Sequence, residues 1–395
     1  MERIVSWGFN AVRLGYIWEG IEPERGEFDQ EYLERQREIV RQFADNGVYV
    51  LIDMHQDLYA AEFGGDGAPA WAIYDGGYDY ELRDPWYRSY FFEPAVQTAF
   101  DNFWTNKDGI QDEFVEAWEK VAESLSNEPN VLGYELFNEP TPGWRTVGRF
   151  GSKFLPDFYN RIIRRIRQID GETPIWVEPP IYSVVGLPTR LGGVDDPAGK
   201  LVLSFHNYAN LINGEGAADT PLSRLGLAIS NFNVTRLANR KQRRLGVPAS
   251  LTEYGDNDGV DGVDALTDAA DNNYMGWFYW PYKESADGWN HPAEDVGGVG
   301  LVENDGSDGD ALETLVRPYP RRVAGIPERL RYRNKNGFVL RYTPSSSESD
   351  GRTVVYVPEK YKITVSGGEI SCRKDSHVHV SESGTGSVKI VTGKT

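Results

Sequence analysis

The chain has 395 residues, 40% of them apolar and 13% aromatic, with a formal net charge of −19 and a single cysteine, Cys372. Such a balance excludes a disordered chain and a disulfide framework, disfavours nucleic acid and anionic membrane as partners, and leaves room for one large domain or two. The acidity fits either an ordinary soluble enzyme or adaptation to high salt, which the run DNDGVDGVDALTDAADNN at 256–273 suggests.

Residues 1–8, MERIVSWG, read as the end of a helix whose preceding strand is absent, as in a shortened chain or a late start codon. FNAVRLGY (9–16) reads as a strand. DQEYLERQREIVRQFADNG (29–47) reads as a helix, with Leu33, Val40 and Phe43 on one face and Gly47 as its stop. VYVLIDMH (48–55) is apolar enough for a parallel strand covered on both faces. The long segment 56–109, rich in glycine and aromatics, has few strand signals; a loop of that length is usually functional. Helices are expected at 110–127, 154–170 and 221–246, and strands at 131–139, 174–179, 200–208, 248–255 and 274–283. An Asn-x-Thr sequon at Asn233 falls inside an expected helix and is not read as glycosylated.

Strand and helix in alternation mean βα units on a parallel sheet. The fold class expected is α/β, a (β/α)8 barrel lacking its first strand, so that the strands beginning at Phe9 and Tyr274 flank an unfilled slot. After about residue 318 helical periodicity vanishes. Short runs such as GFVLRYTP, RTVVYVPE and GSVKIVTG, separated by turn residues, read as a small antiparallel β-sandwich. The expected domains are 1–318, catalytic, and 319–395. A sandwich of this kind is often a carbohydrate-binding module, but the short link LVRPYPRRVAGIPE suggests one packed on the barrel.

Three expected strands end in glutamate: Glu139 in FNEP, Glu178 in WVEPP and Glu253 in SLTEYG. Glycoside hydrolysis needs two carboxyls, one to protonate the leaving oxygen and one to attack the anomeric carbon, and barrel strands aim their ends at one point. The Asn138 amide suits a sugar 2-hydroxyl, Tyr208 can hold the nucleophile's oxygen, and Trp280 can floor the sugar site. Glu178, before Pro179 and Pro180, is expected to bond nearby backbone or line the rim. The ordered series Arg13, His55, Asn138-Glu139, His206-x-Tyr208, Glu253 and Trp280 on successive strand ends is far stronger than any member alone. The five histidines lack metal-ligand spacing, so neither metal nor cofactor is expected, and no apolar run is long enough to span a membrane.

That series resembles glycoside hydrolase family five, the retaining (β/α)8 glycosidases. GFNAVRLGYIWEGIEPERGEFDQEYL, LIDMHQDLY, GDGAPAWAIYDGG, LGYELFNEPTPGW and TEYGDND are similar, more narrowly, to endoglycoceramidases. The resemblance implies Glu139 as acid/base and Glu253 as nucleophile, with Asp53, His55, Asn138, Tyr208 and Trp280 against the first sugar; Arg13, Trp71 and His206 complete the expected substrate site. A sugar-contacting lysine that the family carries on its first strand has no counterpart here. The substrate implied is a glycosphingolipid or another β-glycoside, met at lipid micelles or a membrane surface by a secreted monomer, although no leader is visible. Alternatives are a β-glucosidase acting on glucosylceramide or steryl glucosides, a β-glucan endo-hydrolase, and an inactive glycan- or lipid-binding protein. The run PWYRSYFFEPAVQTAFDNFW favours an apolar groove for ceramide, or else plain packing against helices. A retaining pair should stand about 5–5.5 Å apart, with Glu139 held protonated by its anionic neighbour.

Overall fold

The structure, a computed structural model, describes residues 1–395 except 85, 185–186, 209–235, 237–238, 240–241, 256–258, 284–299, 333–336, 346–351, 383–386 and 395. Asn233 and most of the helix expected over 221–246 therefore lie outside the described residues; 242–245 are helical.

Apolar runs and amphipathic helices alternate, and the runs pair as a six-stranded parallel sheet. Its strands are β1 (Ala11–Ile17), β2 (Tyr49–His55), β3 (Val131–Glu135), β4 (Ile175–Val177), β5 (Leu201–Asn207) and β6 (Ala249–Tyr254), in spatial order β1-β2-β3-β4-β5-β6. Parallel neighbours need long crossovers, and helices supply the first three. Gln30–Asp45 begins where the Asp29 carboxylate accepts the Tyr32 N–H at 2.8 Å, capping an otherwise orphaned donor, and buries Leu33 and Val40. Ile110–Leu125 buries Phe114, Trp118 and Val121, and Leu155–Ile166 buries Phe158, Ile162 and Ile166. These faces and the sheet form one aromatic-rich core.

The edge at β1 is looser. Six of its seven residues are only half-buried, whereas β2 beside it is buried from Val50 to His55. Among the described residues no strand pairs with the outer side of β1. The strand expected at 274–283 forms only in part. Leu251 N–H donates to Gly276 O, and Phe278 and Trp280 N–H donate to Leu251 and Tyr254 O, each at 2.9 Å, with a single parallel bridge at Trp277. The segment enters through Tyr274 at φ +58 and reaches Pro281, which has no N–H to continue a ladder. Below, the Phe9 and Trp277 rings meet edge to face at 6.2 Å.

The C-terminal strands make two antiparallel sheets, β12-β13-β10-β7 and β11-β14-β9-β8. The first strand, β7, is Tyr319–Arg322; the others are β8 (Gly325–Tyr332), β9 (Phe338–Pro344), β10 (Arg352–Tyr356), β11 (Tyr361–Ser366), β12 (Gly368–Lys374), β13 (His377–Glu382) and β14 (Val388–Lys394). Phe338, Leu340, Val355, Val378, Val380 and Ile390 fill the space between them. This sandwich is bolted to the first domain. Tyr319 and Tyr356 hydroxyls donate to the carbonyls of Gly8 and Trp7, at 2.6 and 3.1 Å, and the backbone of Leu330 and Tyr332 donates to Tyr274 Oη and Asn272 Oδ1. No helix among the described residues is long and apolar enough to cross a membrane.

Candidate active site

Parallel register places the chemistry. Gly15 of β1 lies beside Asp53 of β2, and Asp53 beside Glu135 of β3; across the sheet His206 of β5 faces Glu253 of β6. Asp53, Glu135, His206 and Glu253 are thereby brought to one carboxyl end of the sheet. One carboxylate oxygen each of Glu139 and Glu253 and one nitrogen of His206 lie within 4.8 Å of one another. Both glutamates are buried, 8% and 7% exposed.

Local backbone aims them. Glu139 adopts φ +43, the left-handed region that a side chain with a Cβ enters only under constraint. Beyond Glu253 the chain turns through Gly255 at φ +118, where a Cβ would come within 2.2 Å of the Tyr279 ring, so only glycine fits. Glu253 receives two donors, Arg13 Nη1 at 2.8 Å and the Tyr208 hydroxyl at 2.5 Å, and has His206 Nδ1 as an ion-pair contact at 3.7 Å. Glu139 Oε1 lies 2.9 Å from His206 Nδ1.

Burial pushes the Glu139 carboxyl above its usual range; His206 opposes this, and the nearby Glu253 and Asp57 add to it. Burial works against charge on His206, but Glu178, Glu253 and Glu139 together hold its pKa well above the ordinary imidazole value. The arrangement therefore sets a carboxyl whose proton is held more tightly than usual beside an imidazole that also favours its proton, with the Glu253 carboxyl braced by a guanidinium and a phenol.

The other expected residues divide. His55 stacks on Trp280 with ring centres 5.6 Å apart and planes within 7°, and its Nδ1 lies 2.5 Å from Asp53 Oδ2. Asn138 is held through both ends of its amide, Oδ1 by Arg13 Nη2 at 2.7 Å and Nδ2 by the Gln56 carbonyl at 2.9 Å, which leaves one amide hydrogen. Arg13 is not a surface contact for substrate. Its Nε meets Glu135 at 2.5 Å, its Nη2 meets Asp53 at 2.9 Å as well as Asn138, and its Nη1 meets Glu253, so the guanidinium is held among buried acids. Trp71 is half-buried: its indole donates to the Glu22 carbonyl at 3.2 Å and packs edge-on against Trp18 at the margin of the core.

One acid, Glu135, escapes the sequence reading, and another, Glu178, takes only one of its two expected roles. Glu178 is not at the rim but 2% exposed. It accepts the Glu139 backbone N–H at 3.2 Å, as its expected backbone role required, and lies 3.3 Å from His206 Nε2. Glu135, fully buried, pairs with Arg13. A visible signal existed for Glu135, a lone charge inside the apolar run LGYELF. Among the described residues, three groups of acids and histidines stand close enough to hold a cation, one of them Glu139, His206 and Glu253. In each the histidine faces carboxylates that favour imidazolium, which offers no lone pair to a metal.

Residues 1–286 match the family described as Cellulase (glycosyl hydrolase family 5), and residues 317–392 match the glycoside hydrolase family 5 C-terminal domain. The chain is 29% identical over 404 residues to Endoglycoceramidase I of Rhodococcus hoagii, covering 98% of this chain and 78% of the relative. Endo-glycoceramidase II from Rhodococcus sp., solved as a complex with ganglioside GM3, superposes with a TM-score of 0.87 at 28% identity, over 100% of this chain and 91% of that one. The same relative solved as a lactosyl-enzyme intermediate gives 0.86 at 28% identity, with the same coverage.

Proposed function

The chain belongs to glycoside hydrolase family 5 and is a glycoside hydrolase, and from that premise we propose that it cleaves the β-linkage between glycan and ceramide with retention. Glu139 gives its proton to the departing ceramide oxygen while Glu253 bonds to the anomeric carbon. Water then attacks that carbon, Glu139 takes its proton, and Glu253 leaves as the carboxylate. The observation that carries this is the Glu139–His206–Glu253 cluster, in which an oxygen of each carboxyl lies within 4.8 Å of the other, a closeness that suits the roughly 5–5.5 Å of retaining pairs. The relative trapped as a lactosyl-enzyme intermediate supports the covalent step.

Ceramide as the leaving group draws support from the endoglycoceramidase relatives and from one side of the rim. Half of the aromatics in the run at 86–104 went into the core: Tyr90, Phe100, Phe103 and Trp104 are buried. Phe91 and Phe92 face outward, 36% and 61% exposed, and Phe91 meets Tyr182, a residue of the segment after β4, at 5.3 Å. This outward pair suits a lipid chain lifted from a micelle or membrane surface; an endo-glucanase would want such rings on both sides of the cut.

Release of ceramide from a fluorescent ganglioside tests the reading. Glu139→Gln should slow it by about 10²–10⁴-fold, yet spare covalent trapping of Glu253 by a fluorosugar with a dinitrophenyl leaving group, which needs no proton. Turnover of cello-oligosaccharides with none of ganglioside would move the assignment to a glucanase.

A further inference from the structure

Glu178 has no part in the two-carboxylate scheme, yet it is more deeply buried than either proposed catalytic acid, 2% exposed against 8% and 7%. Burying an acid this way is costly unless it is bonded. One oxygen, Oε2, accepts the N–H of Glu139 at 3.2 Å. That peptide is the one held at φ +43. A strained backbone persists only where its surroundings over-determine it, and on the far side the Glu139 carbonyl is gripped by Gln56 Nε2 at 3.4 Å and Thr141 Oγ1 at 3.3 Å. The clamp on the N–H side is Glu178.

Its other oxygen, Oε1, lies 3.3 Å from His206 Nε2, an ion-pair contact, and His206 Nδ1 in turn lies 2.9 Å from Glu139 Oε1. The three side chains thus form a row, carboxyl, imidazole, carboxyl. An imidazolium in the middle donates to Glu139 through Nδ1 and faces Glu178 as an ion pair through Nε2. Its Nδ1–H then occupies Oε1 of Glu139, and the transferable proton is confined to Oε2. We propose that Glu178 is a positioning residue for the acid/base, fixing the Glu139 peptide directly and, through His206, the oxygen that carries its proton. The inference rests on Glu139 being the acid/base.

Charged groups from every neighbouring strand bear on this row. Arg13 of β1 stands 3.6 Å from Glu178, and Glu135 of β3 and Glu253 of β6 add negative charge around Arg13 and His206. Burial raises Glu178 to about 7, opposed by His206 and Arg13. Above that pH its anion reinforces the imidazolium, and the imidazolium favours Glu139 as carboxylate. Glu178 therefore takes part in setting the alkaline limb of activity.

The test compares Glu178→Gln, Glu139→Gln and the double variant on a fluorescent ganglioside and on the trapping fluorosugar. Glutamine keeps an acceptor for the Glu139 N–H but never ionises. Glu178→Gln is expected to lower kcat on the ganglioside by about tenfold or more and to move the alkaline limb up by about one pH unit. Its fluorosugar trapping rate should stay at the wild-type value. In the Glu139→Gln background it should cost nothing further. Glu178→Asp restores the charge and brings the limb back without restoring kcat, which keeps the test open if the glutamine variant folds poorly. An unchanged kcat and pH profile, losses that add in the double variant, or trapping lost in step with turnover would each overturn the proposal. If Glu139→Gln itself hydrolyses ganglioside normally, the acid/base reading falls first, and that outcome is distinct from the others.

Discussion

Two arginines in this molecule sit in nearly identical cages. Arg13, 6% exposed, meets Glu135, Asp53 and Glu253; Arg317, also 6% exposed, meets Asp268, Asp271 at 3.4 Å and Asp264 at 3.8 Å. Both cages contain an acid whose pKa burial lifts to about 7, Glu178 in the first and Asp271 in the second. A perturbed pKa therefore does not by itself mark a functional site. What separates them is where the acids point. The Arg317 cage is shut: its guanidinium lies 4.2 Å from the Tyr332 ring, and its acids belong to one helix, Gly259–Asn272, so it joins helix to sandwich. In the Arg13 cage Glu253 reaches past the arginine to Tyr208 and His206, and His206 reaches on to Glu139. One cage holds two domains together; the other holds a reaction centre.

The largest contrast comes from the acids. Glu253→Gln should reduce turnover of every glycoside by on the order of 10⁴-fold or more and abolish fluorosugar trapping, with the melting temperature near wild type, whereas Asp268→Asn should change stability and leave turnover alone. Turnover surviving in Glu253→Gln would erase the distinction between the cages.

Next in size is removal of each arginine. Arg13→Met and Arg317→Met should both destabilise by about 3–5 kcal/mol, since either leaves buried carboxylates without a cation. Only Arg13→Met should also cut kcat in the protein that remains folded. Urea unfolding and kcat at low temperature read the two effects apart; equal kcat losses would make the Arg317 cage part of the active unit.

The smallest effect is one of pH. An acid whose folded pKa lies above its unfolded value binds the extra proton in the native state, so its effect on stability is lost as pH rises. For Asp271 that window runs from about 4, the unfolded value, to about 7. Between pH 5 and 7.5 the stability of the wild type should fall relative to Asp271→Asn by on the order of 2 kcal/mol. A pH-independent gap in urea unfolding would place Asp271 as a permanent anion of its arginine.

Much of this was legible in the residues themselves. Alternating apolar runs and helical stripes gave the parallel sheet, and Glu139 and Glu253 declared themselves by ending such runs. The bonds of Arg13 to Glu135 and Glu253 were not legible, because a strand pattern shows which face a side chain takes but not how deep its head lies among its neighbours. Trp71 sits in a glycine-rich stretch with no period, so nothing local tied it to Trp18. The aromatic run 274–283 had every strand signal, and Tyr274 at positive φ with Pro281 at the far end cut it to a few bonds. Glu178 was underrated because a following Pro-Pro suggested a loop at the rim, while its fate was decided by a histidine 28 positions later, through an ion pair that no sequence window spans.

The hydroxyls of Tyr319 and Tyr356 have a consequence for the order in which the molecule is made. They hold the carbonyls of Gly8 and Trp7, 311 and 349 positions away, just ahead of the edge strand that carries Arg13. A ribosome delivers the early residues first, at about 5–20 residues per second. The front of that edge strand then waits tens of seconds for the tyrosines that pin it. Until they emerge, Arg13 has its cage of acids but not a fixed strand to reach it from, so the reaction centre is among the last parts of the nascent chain to set. Contacts this distant along the chain are the slow ones in folding generally. Nascent chains arrested before residue 356 should accordingly show β2 and β3 protected from hydrogen exchange while β1 still exchanges freely.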